Sequence, residues 1–319
     1  LWQLQKLLKS LCADHFRRAT LSICDDRKKV DTSKISKGQA MKLATLRTAN
    51  GGTTAAIATG DDAWLALPAS DVGALLGRPD WRAVVEEADR DIITDPEYAP
   101  LLPRAGKVIC CGLNYGDHIQ EMGRELPEYP TLFAKYADTL VGANDAVEVH
   151  GSGRVDWEAE LAVVVGSELY RADEEQAREA IAGYTVANDV SMRDWQNRTL
   201  QWFQGKAWDR TTPVGPVMLT ADEAGESFDV RGYVNGELVQ QGNTSTLVFG
   251  PAQLLSYISR FTVLRPGDLV LTGTPGGVGM GMTPPRFLKD GDVLTTEIDG
   301  IGRLENMFRI HADVAVPAS

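Results

Sequence analysis

Val155-Asp-Trp-Glu158-Ala-Glu160-Leu-Ala-Val-Val-Val-Gly166 sets two carboxylates at the head of an unbroken apolar run. Side chains alternate along a strand, so Trp157, Ala159, Leu161, Val163 and Val165 share one face while Glu158, Glu160, Ala162 and Val164 share the other. Two acids therefore stand on a face that turns apolar one residue further on. Glutamate is depleted from strands, and like charges this close repel unless a cation lies between them. A hard divalent ion, Mg2+ or Mn2+, would answer that, because such ions take oxygen ligands and keep positions open for water or substrate. The plainer alternative leaves both glutamates solvated at the mouth of an exposed strand.

A third acid favours the ion. Gly183-Tyr-Thr-Val-Ala-Asn-Asp189 reads as a second apolar strand whose end presents Asp189, and Arg193, Asp194 and Gln196 follow on the next turn or helix. His118 and Glu121 are three apart on a short helical stretch, which places them on one face ahead of a loop holding Gly123, Pro127 and Pro130. A lone histidine is usually an ordinary surface or core residue. Lys206 lies among Trp202, Phe203 and Trp208 and is either a snorkelling surface lysine or a fixed cation. The glycine-rich stretch at 273–281 lacks the Lys-Ser/Thr of a phosphate loop, which argues against nucleotide binding, yet its backbone N–H groups can cradle a carboxylate.

Outward from this centre, Asn235-Gly236 and Asp299-Gly300 sit between strand-like runs and predict two hairpins. Helices are expected over residues 173–182, stopped by Gly183, and over 251–260, opened by Pro251. Residues 104–319 thus read as a β-rich roll or sandwich with peripheral helices. Residues 41–103 read as a small α+β domain and linker, with strands at 42–47, 55–58 and 63–67. Ser70 is expected to cap one helix there, and Pro79-Asp80-Trp81 opens another running through Arg90. Residues 1–40 differ in character from the rest of the chain, with nine Lys or Arg against four Asp and leucines at 1, 4, 7, 8 and 11 in helical spacing. A presequence or a vector-derived extension accounts for them, since Met41 reads like a native start.

The 319 residues are 43% hydrophobic with a formal charge of −12, enough for a large core and unsuited to gripping a phosphate backbone. No apolar run approaches a membrane span. Four cysteines without metal spacing (Cys12, Cys24, Cys110 and Cys111) fit a reducing, cytoplasmic setting. Cys110 and Cys111 are adjacent in a strand, so one thiol belongs to each face. These bounds leave a small charged metabolite as the expected partner, with no nucleic acid and no membrane.

Five motifs in order resemble the fumarylacetoacetate hydrolase family. They are Gly112-Leu-Asn-Tyr115-Gly-Asp-His118-Ile-Gln-Glu121, Glu158-Ala-Glu160, Asn188-Asp189-Val-Ser-Met-Arg193-Asp-Trp-Gln196, Gly205-Lys206-Ala-Trp208, and Thr272-Gly-Thr274-Pro-Gly-Gly-Val-Gly279. The resemblance spans about residues 105–311. It implies a mixed β-roll catalytic domain within an α+β, predominantly β fold, a homodimer, and one Mg2+ or Mn2+ held by Glu158, Glu160 and Asp189. It further implies that His118 and Glu121 activate water and that Lys206 stabilises developing negative charge. Tyr115, Arg193, Gln196 and Thr274 correspond to family positions that contact substrate. The implied reaction is hydrolysis of a C–C bond in a small acylpyruvate such as fumarylpyruvate. Decarboxylation of an oxaloacetate-like acid and enol–keto isomerisation are rivals on the same centre, and a non-catalytic metabolite-binding protein is the rival from another class. Tyr136 after Lys135, and Trp208, depart from the common family pattern and bear on the substrate more than on the chemistry.

Overall fold

The computed structural model describes residues 41–60, 63–87, 91–116, 119 and 125–311. His118, Glu121 and the leucine-spaced stretch within residues 1–40 lie outside the described residues. In chain order come β1 (Lys42–Arg47), β2 (Thr53–Ala58), β3 (Trp64–Ala66), α1 (Val72–Leu76), α2 (Trp81–Glu86) and β4 (Ile92–Ile93). Next are β5 (Val108–Gly112), β6 (Thr131–Lys135), β7 (Leu140–Val141), β8 (Val147–His150), β9 (Val155–Asp156), β10 (Ala159–Val165) and α3 (Glu174–Glu179). β11 (Ile181–Asn188), β12 (Ser191–Met192), α4 (Arg193–Gln196), α5 (Phe203–Lys206), β13 (Thr212–Thr220), β14 (Asp229–Val234) and β15 (Glu237–Asn243) follow. The described chain closes with α6 (Pro251–Ser259), β16 (Leu269–Leu271), β17 (Val293–Ile298) and β18 (Gly302–His311).

Two mixed sheets carry the fold. The larger runs β4-β3-β2-β1-β13-β11-β10-β16-β5-β6, with β7 beside β13, and the smaller runs β15-β14-β17-β18-β8. β9 and β12 pair apart from both. Residues of β1–β4 do not form a sheet of their own, because β1 pairs with β13 and extends the larger sheet. Every residue of β10 is buried, and its alternation assigns each side chain to a layer. Ala162 and Val164 face a core built with α1 and α2, whereas Ala159 and Leu161 meet Val230, Ile298 and Leu304 of the smaller sheet. Val163 and Val165 join Leu254, Leu255 and Ile258 of α6. Cys110 and Cys111 divide the same way, one in the core under α1 and the other under α6. No helix among the described residues is long and apolar enough to cross a membrane.

Both predicted hairpins form. Asn235 and Gly236 take φ of 52° and 80°, which closes Val234 onto Glu237, and Gly300 at 80° lets β17 return as β18. Gly183 plays a different part from the helix stop expected of it. α3 ends at Glu179 with Ala180 as its cap, and Gly183 is already inside β11. A Cβ there would lie 2.2 Å from the Leu219 carbonyl oxygen, so glycine is required by the close approach of β13. Asp71, not Ser70, caps α1 by accepting the Ala74 N–H at 2.8 Å, with the Ser70 hydroxyl donating to the same carboxylate.

Gly183→Ala should therefore force β11 and β13 apart and cost about 2 kcal/mol or more of stability, as overpacking against a backbone does. Urea unfolding is expected to show a lower midpoint at unchanged slope; an unchanged midpoint would contradict the packing.

Candidate metal centre

The antiparallel register of β10 and β11 builds the centre. Ala159 pairs with Asn188 and Glu160 with Ala187. Pairing continues one step beyond β10, where the Asp189 N–H donates to the Glu158 carbonyl at 2.9 Å and the Glu158 N–H donates to the Asn188 side-chain oxygen at 3.0 Å. Glu158 and Asp189 are thereby opposite each other, and Glu160 is two residues along on the same face. One oxygen from each lies within 4.8 Å of the others. Glu160 and Asp189 are buried, while the Glu158 side chain retains 12% exposure and marks the open side.

Buried cations answer the charge unevenly. Lys206 Nζ lies 2.8 Å from Glu158 Oε2 and 2.7 Å from Asp189 Oδ2, and Lys135 Nζ lies 2.5 Å from Asp189 Oδ1. Arg193 places Nη2 at 2.7 Å from Glu158 Oε1 and Nε at 2.7 Å from Asp156 Oδ2. Among the described residues the Glu160 carboxylate accepts a hydrogen bond only from the Gly273 N–H, at 2.7 Å. Burial pushes Asp189 upward, but Lys135 and Lys206 outweigh it and hold the carboxyl below its ordinary range. For Glu160, burial followed by repulsion from Asp189 and Glu158 drives the carboxyl well above that range. Lys206 would lose its proton more easily through burial alone, yet Asp189 and Glu158 hold its ammonium above the usual value.

Asp156 is the brace behind Arg193. Its carboxylate accepts the N–H groups of Trp157, Gly279 and Met280 at 2.9, 2.7 and 3.0 Å in addition to Arg193. Gly205 does the corresponding work for Lys206, because a Cβ there would sit 2.5 Å from Gln196 Cβ, so only glycine lets α5 lie against α4. Gln196 accepts from Arg193 Nη1 at 2.9 Å. The Thr274 hydroxyl donates to the Ala159 carbonyl at 2.9 Å and accepts from Gln240 Nε2 at 2.8 Å. Tyr115 is buried, and its hydroxyl has no hydrogen-bond partner among the described residues. Burial and the nearby Glu160 push that phenol up. Its ring borders a cavity of about 450 Å³ with Gly242, Pro275, Gly277 and Met282.

The structure thus gathers Glu158, Glu160, Asp189, Lys206, Arg193 and Gln196 about one point and sets Tyr115 near Glu160. Sequence reasoning missed Lys135 and Asp156. Lys135 is a single charge closing the stretch Thr131-Leu-Phe-Ala, which is the signal available for it, whereas Asp156 stands between Arg154 and Glu158 and is overshadowed by the neighbouring glutamates. Tyr136 is exposed and edge-on to Phe203, and Trp208 is edge-on to Trp195.

A sequence model for the fumarylacetoacetate (FAA) hydrolase C-terminal family matches residues 107–309. The chain belongs to the fumarylacetoacetate hydrolase family. It is 44% identical over 219 residues to an oxaloacetate tautomerase, described as mitochondrial, from Xenopus laevis, covering 67% of this chain and 66% of that one. A fumarylacetoacetate hydrolase from psychrophilic Exiguobacterium antarcticum superposes with a TM-score of 0.77 at 33% identity, over 85% of this chain and 100% of that one. A fumarylpyruvate hydrolase from Pseudomonas aeruginosa, solved in complex with Mn2+ and pyruvate, gives 0.58 at 34% identity over 65% of this chain and 91% of that one.

The residues of this family member fit a hard divalent ion. Every candidate ligand atom is a carboxylate oxygen, and Glu160 has no cationic partner among the described residues. Four buried or half-buried carboxylates, counting Asp156, meet three cations. An added divalent charge turns the balance positive, as an anionic substrate requires. The sign of a stability test follows from Glu160. Its folded-state carboxyl titrates higher than in the unfolded chain, so metal-stripped protein should lose stability as pH rises from the ordinary carboxylate range towards neutrality. Asp189 works the other way, its contribution vanishing only as pH falls through and below that range. Glu160→Gln is expected to raise the Tm of metal-stripped protein at pH 7 and abolish the Tm gain on adding Mn2+. A lower stripped Tm with the Mn2+ response intact would contradict this assignment.

Proposed function

We propose that this chain is a divalent-metal-dependent enzyme that hydrolyses a C–C bond in a small acylpyruvate, with Glu158, Glu160 and Asp189 as the metal ligands. The observation that carries the reading is an all-oxygen triad closed by strand register and backed by the buried ammonium of Lys206. Similarity to a hydrolase whose complex contains Mn2+ and pyruvate supports it. Bound Mg2+ or Mn2+ would supply Lewis acidity, drawing electron density from a 2-oxo acid and favouring its enolate.

The chain's own groups then divide the work. Lys206 adds fixed positive charge in a water-poor setting, where it is worth more to a developing anion than in bulk. Arg193 has its donors engaged with Asp156, Glu158 and Gln196, so in this reading it sets the position of Glu158 and Gln196 towards substrate. The Tyr115 hydroxyl is left to meet a substrate oxygen, and Thr274 shapes the far wall through its bond to Ala159. His118 takes a proton from water as that water adds to the distal carbonyl, with Glu121 orienting the imidazole. The C–C bond breaks, its electron pair staying with the pyruvate fragment, which is protonated to pyruvate while the acyl fragment leaves as the acid.

A second reading is tautomerisation of an oxaloacetate-like acid, favoured by the 44% identity to the Xenopus oxaloacetate tautomerase. It needs the same triad and no water attack. Turnover of acylpyruvates in 18O-labelled water separates the two. Hydrolysis places one labelled oxygen in the released acid, whereas enol-to-keto conversion of oxaloacetate without labelled acid from any acylpyruvate selects the second reading. Under either, Lys206→Met should lower kcat by about 10²-fold or more, as removal of a preorganised charge does. A variant with full activity would remove Lys206 from the chemistry.

A further inference from the structure

β8 is an edge strand of the smaller sheet and pairs in parallel with β18, with His150 opposite His311 and Glu148 opposite Arg309. Val147, Val149 and Phe308 are buried, so the alternating residues Glu148, His150 and His311 project together from the exposed face. The two imidazoles stack with centroids 4.2 Å apart and planes 6° from parallel. One ligand atom from each of Glu148, His150 and His311 lies within 4.8 Å of the others. The carboxylate triad plays no part in this arrangement.

We propose that Glu148, His150 and His311 form a second metal site, specific for a borderline ion such as Zn2+, which clamps edge strand β8 to β18. Two imidazole nitrogens and one carboxylate oxygen suit zinc, cobalt, nickel or copper, whereas Mg2+ and Mn2+ favour the all-oxygen set at Glu158, Glu160 and Asp189. Three protein ligands leave a fourth tetrahedral position to water. Zinc–nitrogen bonds of about 2.0–2.1 Å draw two tetrahedral ligand atoms to roughly 3.4 Å apart. Rotation of exposed side chains supplies that closure, because the parallel register already fixes both histidines side by side. The competing partner of Glu148 is Arg309 at 3.6 Å, an exposed pair that contributes little. Bridging residues 150 and 311 closes a long stretch of chain, so the ion ties edge strand β8 to the last residue of β18.

The test is equilibrium dialysis of the full-length protein against Zn2+ in excess Mg2+, with metal content counted per chain. Wild-type protein is expected to retain one more zinc than His150→Ala or His311→Ala, and Glu148→Gln should bind that zinc more weakly. Both histidines are exposed, so the zinc-free Tm of the variants should match wild type, and only wild type should gain Tm on zinc addition. Cu2+ bound under the same conditions should show nitrogen couplings in its electron paramagnetic resonance spectrum that either variant loses. Equal zinc content in wild type and both histidine variants, whether zero or held elsewhere, overturns the site, as does a zinc-induced Tm gain that the variants keep.

Discussion

Repulsion among three carboxylates brought together by one strand register is the constraint around which this molecule is arranged. At separations within 4.8 Å, each pair of ionised groups costs on the order of 3 kcal/mol at the effective dielectric of a protein interior. The backbone leaves no way to relieve it, because moving Glu160 off the shared face means slipping β10 by one residue, which would turn Ala162 and Val164 out of their core. The charge has to be met by cations, and the chain supplies them from three separate elements: Lys135 from β6, Arg193 from α4 and Lys206 from α5. Their distribution is lopsided. Asp189 is paired with two lysines and Glu160 with none among the described residues, and that asymmetry leaves Glu160 the least compensated of the three.

The scaffold behind these groups explains why so much buried polarity is tolerated. Asp156 gathers three backbone N–H groups and the Arg193 guanidinium, so the loop at Gly279 and Met280 is tied to the same residue that orients Glu158. Asn188 donates to Thr296 and accepts from Glu158, which joins the larger sheet to the smaller directly behind the triad. Gly273, with φ of 99°, turns its N–H onto Glu160 where a side chain would press on the Cys111 carbonyl. Such a network resists reorganisation, which is what a centre needs if it is to stabilise charge appearing on a bound acid.

Much of this is legible in the sequence, and the reasons are local. Acids at i and i+2 and the Asp189 strand end point to the triad, although the continuous strand expected over 155–166 is broken at Trp157 and Glu158 into β9, paired with β12, and β10, paired with β11. The Asn235-Gly236 and Asp299-Gly300 hairpins are readable because positive φ is chemically restricted. Gly183 reads wrongly as a helix stop because its need for glycine comes from Leu219, a residue of β13 distant in sequence. Lys135 and Asp156 escape notice for the same reason: a charge on a strand acquires meaning only when tertiary pairing gives it a partner, here Asp189 for Lys135 and Arg193 for Asp156. The joining of β1 to β13 likewise depends on long-range pairing that no local pattern encodes.

The most direct measurement is a crystal of this protein soaked with Mn2+ and measured at the manganese absorption edge. The account predicts one strong anomalous peak about 2.1 Å from an oxygen of each of Glu158, Glu160 and Asp189. No peak at the triad, or one contacting Glu158 alone while Glu160 stays bonded only to Gly273, would contradict it.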